Sequence, residues 1–117
     1  MPKRDRRLTR TLFWAAALFA FVMAVLPHPP QLPEEPSDKV QHIIAFATLT
    51  LLGSWAYRTT SPLKLLLGLS LFGAAIEVAQ DIPIFHRDSE LLDWLADTAA
   101  VAVVLLIIIL VRRRPRA

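Results

Sequence analysis

Four long apolar stretches, separated by short polar connectors, are the feature that most constrains how this chain folds. They occupy residues 11–27, 40–57, 63–79 and 91–111, so each is 17 to 21 residues long. At about 1.5 Å of helical rise per residue, such stretches reach roughly 25 to 32 Å, which matches the ~30 Å hydrocarbon core of a bilayer. The pattern therefore predicts an all-α integral membrane protein, a four-helix bundle.

The composition supports a lipid environment. Hydrophobic residues make up 55% of the 117 residues, charged residues make up 20%, and the mean hydropathy is +0.47. Soluble domains are about 45–50% apolar and about 25% charged, and a chain this short forms one compact domain at most, so the apolar surplus must face lipid. The same figures exclude disorder. The absence of cysteine excludes disulfides, thiolate metal sites and a cysteine nucleophile.

The connectors are too short to hold a soluble domain. We expect a basic cytoplasmic tail at residues 1–10, a membrane domain at 11–111 and a second basic tail at 112–117. The first apolar stretch also resembles a signal peptide, but it ends in Leu26, Pro27 and His28 rather than in a small-residue cleavage site. We therefore expect it to be retained as a helix, followed by a proline-rich spacer.

The basic residues predict the orientation. With four crossings and the N-terminus inside, eleven of the thirteen Lys and Arg residues lie on the inner side, and only Lys39 and Arg87 lie outside. The positive-inside rule therefore predicts that both termini are cytoplasmic. Because the basic residues lie mostly at the ends of apolar segments rather than along one face, we expect no nucleic-acid partner.

Polar residues from several segments converge at the predicted outer side of the membrane. Nine of the ten acidic residues lie there. The predicted polar ligand-binding cluster consists of Asp38, Lys39, His42, Glu77, Gln80, Arg87, Asp93 and Asp97. This convergence at one membrane depth is the main functional signal in the sequence.

The start of the second helix has a structural as well as a functional interpretation. Asp38 precedes Gln41 by three residues, which is the spacing of a capping box in which both side chains satisfy the first backbone N–H groups. His42 lies one helical turn beyond Asp38, on the same face. The sequence leaves open whether His42 is a hydrogen-bonded structural residue or a proton-transferring one.

Glu90, Asp93 and Asp97 are spaced as one acidic stripe along the start of the fourth helix. The first two suit the positive end of the helix dipole. Asp97 lies deeper, where the dipole helps little and lipid contact is expensive. We therefore expect Asp97 to face the bundle interior.

Glu77 lies at the C-terminal, negative end of the third helix, where the helix dipole disfavours a carboxylate. A carboxylate within a spanning segment costs about 2.5 to 3.5 kcal/mol on insertion scales. We expect Glu77 to be protonated or to be paired with Lys39, Arg87 or a protonated His42. Both a functional role and a structural ion pair fit this position.

The same residues resemble the VanZ family of small bacterial membrane proteins. The family pattern has Asp-Lys-x-x-His, then Glu-x-x-Gln, then an Arg with a later Asp-x-x-Ala-Asn. Here these motifs correspond to Asp38-Lys39-Val40-Gln41-His42, to Glu77-Val78-Ala79-Gln80, and to Arg87 followed by Asp93-Trp94-Leu95-Ala96-Asp97. The similarity covers residues 38 to about 104. The family takes its name from a protein associated with lowered susceptibility to teicoplanin, so the resemblance implies a role in the cell envelope and in antibiotic susceptibility.

The sequence departs from the family pattern at a few positions. Asp97 stands where the pattern has Asn, which adds a negative charge to the site. Ala99 and Ala100 occupy a stretch that usually contains Gly, and Phe46 stands where Tyr is common.

Three functions fit these observations. The first is a non-enzymatic envelope protein whose outer cluster binds an envelope lipid, a peptidoglycan precursor or a glycopeptide. The second is an intramembrane enzyme acting on an envelope lipid, with His42 or Glu77 as the acid or base. The third is a small proton-coupled carrier subunit. We favour binding over catalysis, expect no cofactor and no metal because one His with scattered carboxylates is a weak zinc signal, and leave the oligomeric state open.

Overall fold

The computed structural model describes the chain over residues 3–26, 38–82 and 91–112, with side chains from residues 6, 40 and 91 onward in these segments. These segments contain no strand and form four helices: α1 (Lys3–Val25), α2 (Asp38–Ala56), α3 (Pro62–Gln80) and α4 (Leu91–Arg112). The all-α prediction is confirmed for the described part of the chain.

The helix bounds agree with the sequence except at the start of α1. The predicted bounds of α2, α3 and α4 hold to within two residues. By contrast, α1 begins at Lys3, eight residues before the predicted start at Thr11. An apolar stretch marks only the length that lipid favours, whereas Arg, Lys and Leu are good helix formers outside it too. The expected N-terminal tail is therefore largely a helical extension of α1.

The start of α3 shows why the chain turns where it does. Ser61 is the N-cap residue, and its hydroxyl accepts a hydrogen bond from the backbone N–H of Lys64 at 3.3 Å. Pro62 follows at the first helical position, where its missing N–H costs nothing. The connector between α2 and α3 is short, so these two helices are antiparallel neighbours.

Three helices are long and apolar enough to cross a membrane: Arg6–Val25, Pro62–Gln80 and Leu91–Arg112. The apolar part of α2, Val40–Ala56, is shorter. Helix α2 packs against each of the other three helices, and Phe46, Leu49 and Thr50 are almost fully buried. Much of the surface of α2 therefore contacts protein rather than the surroundings.

Contacts between helix ends define two ends of the bundle. At the first end, Arg10 Nε donates to the carbonyl oxygen of Ala56 at 3.2 Å, and Arg112 Nη2 donates to that of Ser54 at 3.3 Å. This end, which we call the basic end, joins the starts of α1 and α3 to the ends of α2 and α4. The opposite end, which we call the acidic end, joins the starts of α2 and α4 to the ends of α1 and α3.

The interface between α3 and α4 is close and hydrogen-bonded. The hydroxyls of Ser70 and Thr98 lie 3.0 Å apart, and Trp94 Nε1 donates to the Ser70 carbonyl oxygen at 3.0 Å. Gly73 has no side chain, which leaves room for the rings of Phe46 and Trp94 beside it. Small residues therefore allow these helices to approach closely.

Candidate functional site

A buried pair formed by His42 and Asp97 lies at the acidic end of the bundle. The imidazole Nδ1 of His42 is 3.4 Å from the carboxylate Oδ2 of Asp97. His42 is in the second turn of α2 and Asp97 is in the second turn of α4, about 6 and 9 Å along their helices from the first residue. Because α2 and α4 run in the same direction, both helices start at the acidic end, which brings His42 and Asp97 together. The expectation that Asp97 faces the bundle interior is confirmed, since it is 1% exposed.

The carboxylate of Asp97 is only partly satisfied. Its Oδ2 atom contacts His42, whereas its buried Oδ1 atom has no hydrogen-bond partner within the described segments. A buried carboxylate oxygen without a donor is costly, because nothing replaces the water that it has lost. The geometry therefore calls for a hydrogen-bond donor at Oδ1.

Asp93 adds a second buried carboxyl group to α4, nearer to the acidic end of the helix than Asp97. It lies one turn before Asp97 on the same face of α4, and its side chain is also buried. Asp93 occupies the first turn of α4, where the helix dipole favours a carboxylate. Two of the three residues in the predicted acidic stripe thus face the interior, while Glu90 lies outside the described residues.

Helix α3 contributes two further polar side chains at the acidic end. Glu77 is partly buried, and its Oε1 atom is enclosed by protein. Gln80 is 1% exposed, and its amide Nε2 donates to the carbonyl oxygen of Ala24 at 2.8 Å. The Oε1 atom of Gln80 has no partner among the described residues. Gln80 therefore ties the last turn of α3 to the last turn of α1.

The structure brings part of the predicted cluster together. It places His42 against Asp97 and puts Glu77, Gln80 and Asp93 at the same end of the bundle. The backbone of Asp38 and Lys39 forms the first turn of α2, but their side chains lie outside the described ones, as does Arg87. The capping role of Asp38 and the pairing of Glu77 with a particular cation stay predictions.

A groove between α1 and α2 is a feature that the sequence reasoning missed. It has a volume of about 420 Å³. Ala16, Ala20 and Ala24 form part of its α1 wall, and His42 is in its α2 wall. The spacing of these alanines, one per helical turn, is a sequence signal that allows a groove, because each leaves a space that a larger side chain would fill.

Asp97 Oδ1 and Gln80 Oε1 are buried hydrogen-bond acceptors that have no donor within the described segments. Within the described segments, no three His, Asp or Glu side chains are grouped so that they hold a metal ion. The orphaned oxygen of Asp97 suits a donor such as a hydroxyl, an ammonium or an amide N–H. A carboxylate beside an imidazole also orients the ring and fixes its tautomer, which is the arrangement that general acid–base catalysis uses.

Comparisons with known proteins add no relative. No family model matches the chain, and no curated protein and no solved structure is significantly similar to it.

Proposed function

We propose that the chain is a VanZ-like protein of the bacterial inner membrane that binds an envelope molecule at the acidic end of its bundle. All four helices cross the membrane, both termini are cytoplasmic, and the acidic end faces outward. The ligand presents hydrogen-bond donors and belongs to the envelope lipids, the peptidoglycan precursors or the glycopeptides. Binding of such a molecule would alter susceptibility to antibiotics such as teicoplanin.

The distribution of charge and aromatic residues supports this orientation. Arg10 and Arg112 both lie at the basic end, where the positive-inside rule expects the cytoplasm. Trp14 and Tyr57 lie there too, hydrogen-bonded to each other at 2.8 Å, as amphipathic rings do at a membrane interface. With the basic end inside, the acidic end faces the envelope.

The observation that carries the proposal is the buried contact between His42 and Asp97. The orphaned Oδ1 atom of Asp97 is buried, and hydrocarbon offers no hydrogen-bond donor, so a partner has to come from the protein or from the polar part of a ligand. The protein's own candidates in the sequence are Lys39 and Arg87. A ligand with hydroxyl, ammonium or amide groups satisfies the same atom and gives this end of the bundle a binding role.

A fluorescence titration tests this function. Replacing Trp14 and Trp55 with Phe leaves Trp94, at the acidic end, as the only tryptophan. The purified protein in detergent micelles is titrated with phosphatidylglycerol, with a lipid-linked peptidoglycan precursor and with teicoplanin. We expect saturable binding of at least one probe and at least tenfold weaker binding in His42→Gln, a loss of about 1.4 kcal/mol.

Thr50→Val is the matched control, because Thr50 is also buried in α2 but its hydroxyl donates within the helix, to the carbonyl oxygen of Phe46. We expect its binding to stay within twofold of the parent protein. If none of the three probes binds, or if His42→Gln binds as tightly as Thr50→Val, the proposed function is wrong.

The contact between Asp97 and His42 also favours a second candidate, an enzyme in which His42 transfers a proton to or from an envelope lipid. The experiment is to incubate the same lipid probes with the protein and to follow them by mass spectrometry. Turnover that is lost in His42→Gln while binding is retained would establish catalysis over binding alone.

A further inference from the structure

We propose that the ligand of this protein is a membrane lipid, and that one acyl chain of that lipid lies in the groove between α1 and α2. This inference rests on the proposed function, since it places the polar part of the same ligand beside His42. It narrows the ligand to a molecule that has both a donor-bearing head group and a hydrocarbon chain.

The groove has the shape of a slot that runs along the helices. Its α1 wall extends from Ala16 to Ala24 and its α2 wall from Gln41 to Leu49. Each wall covers eight residue steps, which is about 12 Å of helix. Because α1 and α2 are antiparallel, Ala24 lies near Gln41 at the acidic end, and Ala16 lies near Leu49 deeper in the bundle.

The chemistry of the lining changes along the slot. The α1 wall contains only Ala, Phe and Met side chains, and Phe46 and Leu49 of α2 and Ile76 of α3 continue the apolar surface. Thr48 keeps its hydroxyl engaged within its own helix, donating to Ile44 at 2.8 Å. His42 lies at the acidic end of the slot and contacts Asp97 with the same ring. An apolar slot therefore opens at one end onto the polar site.

The lining of the slot favours a hydrocarbon chain as its occupant. The slot runs along about 12 Å of helix and has a volume of about 420 Å³. Its α1 wall carries no polar side chain with which the polar residues of a partner could pair. A hydrocarbon chain is slender, unbranched and free of polar groups, and it needs nothing from the apolar walls except contact.

The head group must supply the specificity. Lipid tails are as apolar as the slot, so moving a chain from the bilayer into it gains no hydrophobic energy. Contacts between the chain and the walls contribute packing energy, and a chain held in the slot keeps the head group beside His42. The selective interaction is then with His42, the residue that lines the slot and also contacts Asp97.

A photo-crosslinking experiment tests where the chain lies. The full-length protein in micelles is irradiated with phosphatidylglycerol that carries a diazirine in its acyl chain, and the labelled residues are mapped by mass spectrometry. We expect labelling to concentrate on Ala16, Ala20, Ala45 and Leu49. Labelling spread evenly over the outward-facing residues of α3 and α4, such as Leu71 and Val103, would overturn the proposal.

Filling the slot tests its importance for binding. Ala20→Phe places a ring in the slot, whereas Leu18→Phe adds one to the exposed side of the same helix, since Leu18 is 66% exposed. We expect at least tenfold weaker binding of phosphatidylglycerol in Ala20→Phe and a change below twofold in Leu18→Phe. Ala16→Val, a smaller change deeper in the slot, keeps the test valid if Ala20→Phe does not fold, and we expect it to weaken binding about threefold.

The variants separate this inference from the proposed function. Weaker binding in both His42→Gln and Ala20→Phe supports the acyl-chain slot as well as the proposed function of the polar site. Weaker binding in His42→Gln alone, with Ala20→Phe folded and unchanged, overturns the acyl-chain slot and leaves the polar site intact. Unchanged binding in both variants overturns the slot and the polar site together.

Discussion

The imidazole of His42 and the carboxylate of Asp97, separated by 55 positions in the sequence, meet at 3.4 Å in the buried acidic end of the bundle. The pair joins two helices that are not neighbours in the chain, α2 and α4. It therefore contributes to the relative position of these helices as well as to the chemistry of the site.

We expect His42 and Asp97 to be energetically coupled. In a double-mutant cycle with His42→Leu and Asp97→Leu, each single change breaks the contact between the two side chains but leaves one of the two polar groups in place, whereas the double change removes both. Coupling energies in membrane proteins average about 0.6 kcal/mol and reach about 1.7, and we expect about 1 kcal/mol here. Denaturant unfolding of the purified protein in micelles measures it.

The control cycle combines Asp97→Leu with Ser54→Ala. Ser54 is also buried in α2, but it lies three turns away, toward the basic end. These two effects should add to within about 0.5 kcal/mol. Additive behaviour in the His42 cycle as well would show that the contact contributes nothing to stability.

The sequence predicts where the residues of this site lie along their helices, but it does not predict which of them are in contact. Charge and hydropathy predict that His42, Glu77 and Asp97 reach one end of the bundle, because these quantities determine helix positions along the chain. They do not predict that Asp97 contacts His42. The partner depends on how each helix is rotated about its axis, and helices that are apolar on every side give little signal for rotation.

The contact of Gln80 and the slot between α1 and α2 also could not be predicted from the sequence. From the sequence, Gln80 belongs with the ligand-binding cluster, yet its amide nitrogen donates to Ala24 of α1. That contact and the slot both depend on how α1 packs, which the sequence does not reveal. The early start of α1 at Lys3 has a different cause, since membrane-spanning length and helix length are separate properties.

Gly73 should tolerate only a small side chain. A methyl group at this position would contact the Phe46 and Trp94 rings at 3.4 Å each. We expect Gly73→Ala to change stability by less than about 1 kcal/mol, because the better helix propensity of Ala offsets the tight contacts. Gly73→Leu should destabilise the bundle by about 1–3 kcal/mol through overpacking.

Gly68→Leu is the matched control for this prediction, since a methyl group at Gly68 meets nothing within 4 Å. We expect it to leave stability unchanged or slightly raised. Thermal unfolding in micelles compares the three variants. Equal midpoints for Gly73→Leu and Gly68→Leu would mean that α2, α3 and α4 do not pack closely at Gly73.

Arg10 should stabilise the basic end through its guanidinium group. The group donates to the last turn of α2 at Ala56 and lies over the ring of Tyr57, 4.5 Å from its centroid. We expect Arg10→Gln to lower the free energy of unfolding by about 1 kcal/mol, the sum of a weak hydrogen bond and a cation–π contact of about 0.5–1 kcal/mol. Arg10→Lys should retain part of this contribution to the free energy of unfolding.

The control is Arg58→Gln. Arg58 is exposed at the same end of the bundle, and this substitution removes the same positive charge as Arg10→Gln. Its effect on unfolding should stay within about 0.5 kcal/mol. If both glutamine variants lower stability equally, the loss comes from charge rather than from the contacts of Arg10.

The predicted orientation can be tested with single cysteines, because the chain contains none of its own. We expect a cysteine at Ser89, in the connector before α4, to react with a membrane-impermeant maleimide in intact cells, since that connector is predicted to face outward. A cysteine at Thr60, between α2 and α3, should react only after the cells are permeabilised. The parent protein without cysteine gives the background signal. Labelling of Thr60→Cys but not of Ser89→Cys in intact cells would reverse the orientation, so that the site containing His42 and Asp97 would face cytosolic molecules rather than the envelope.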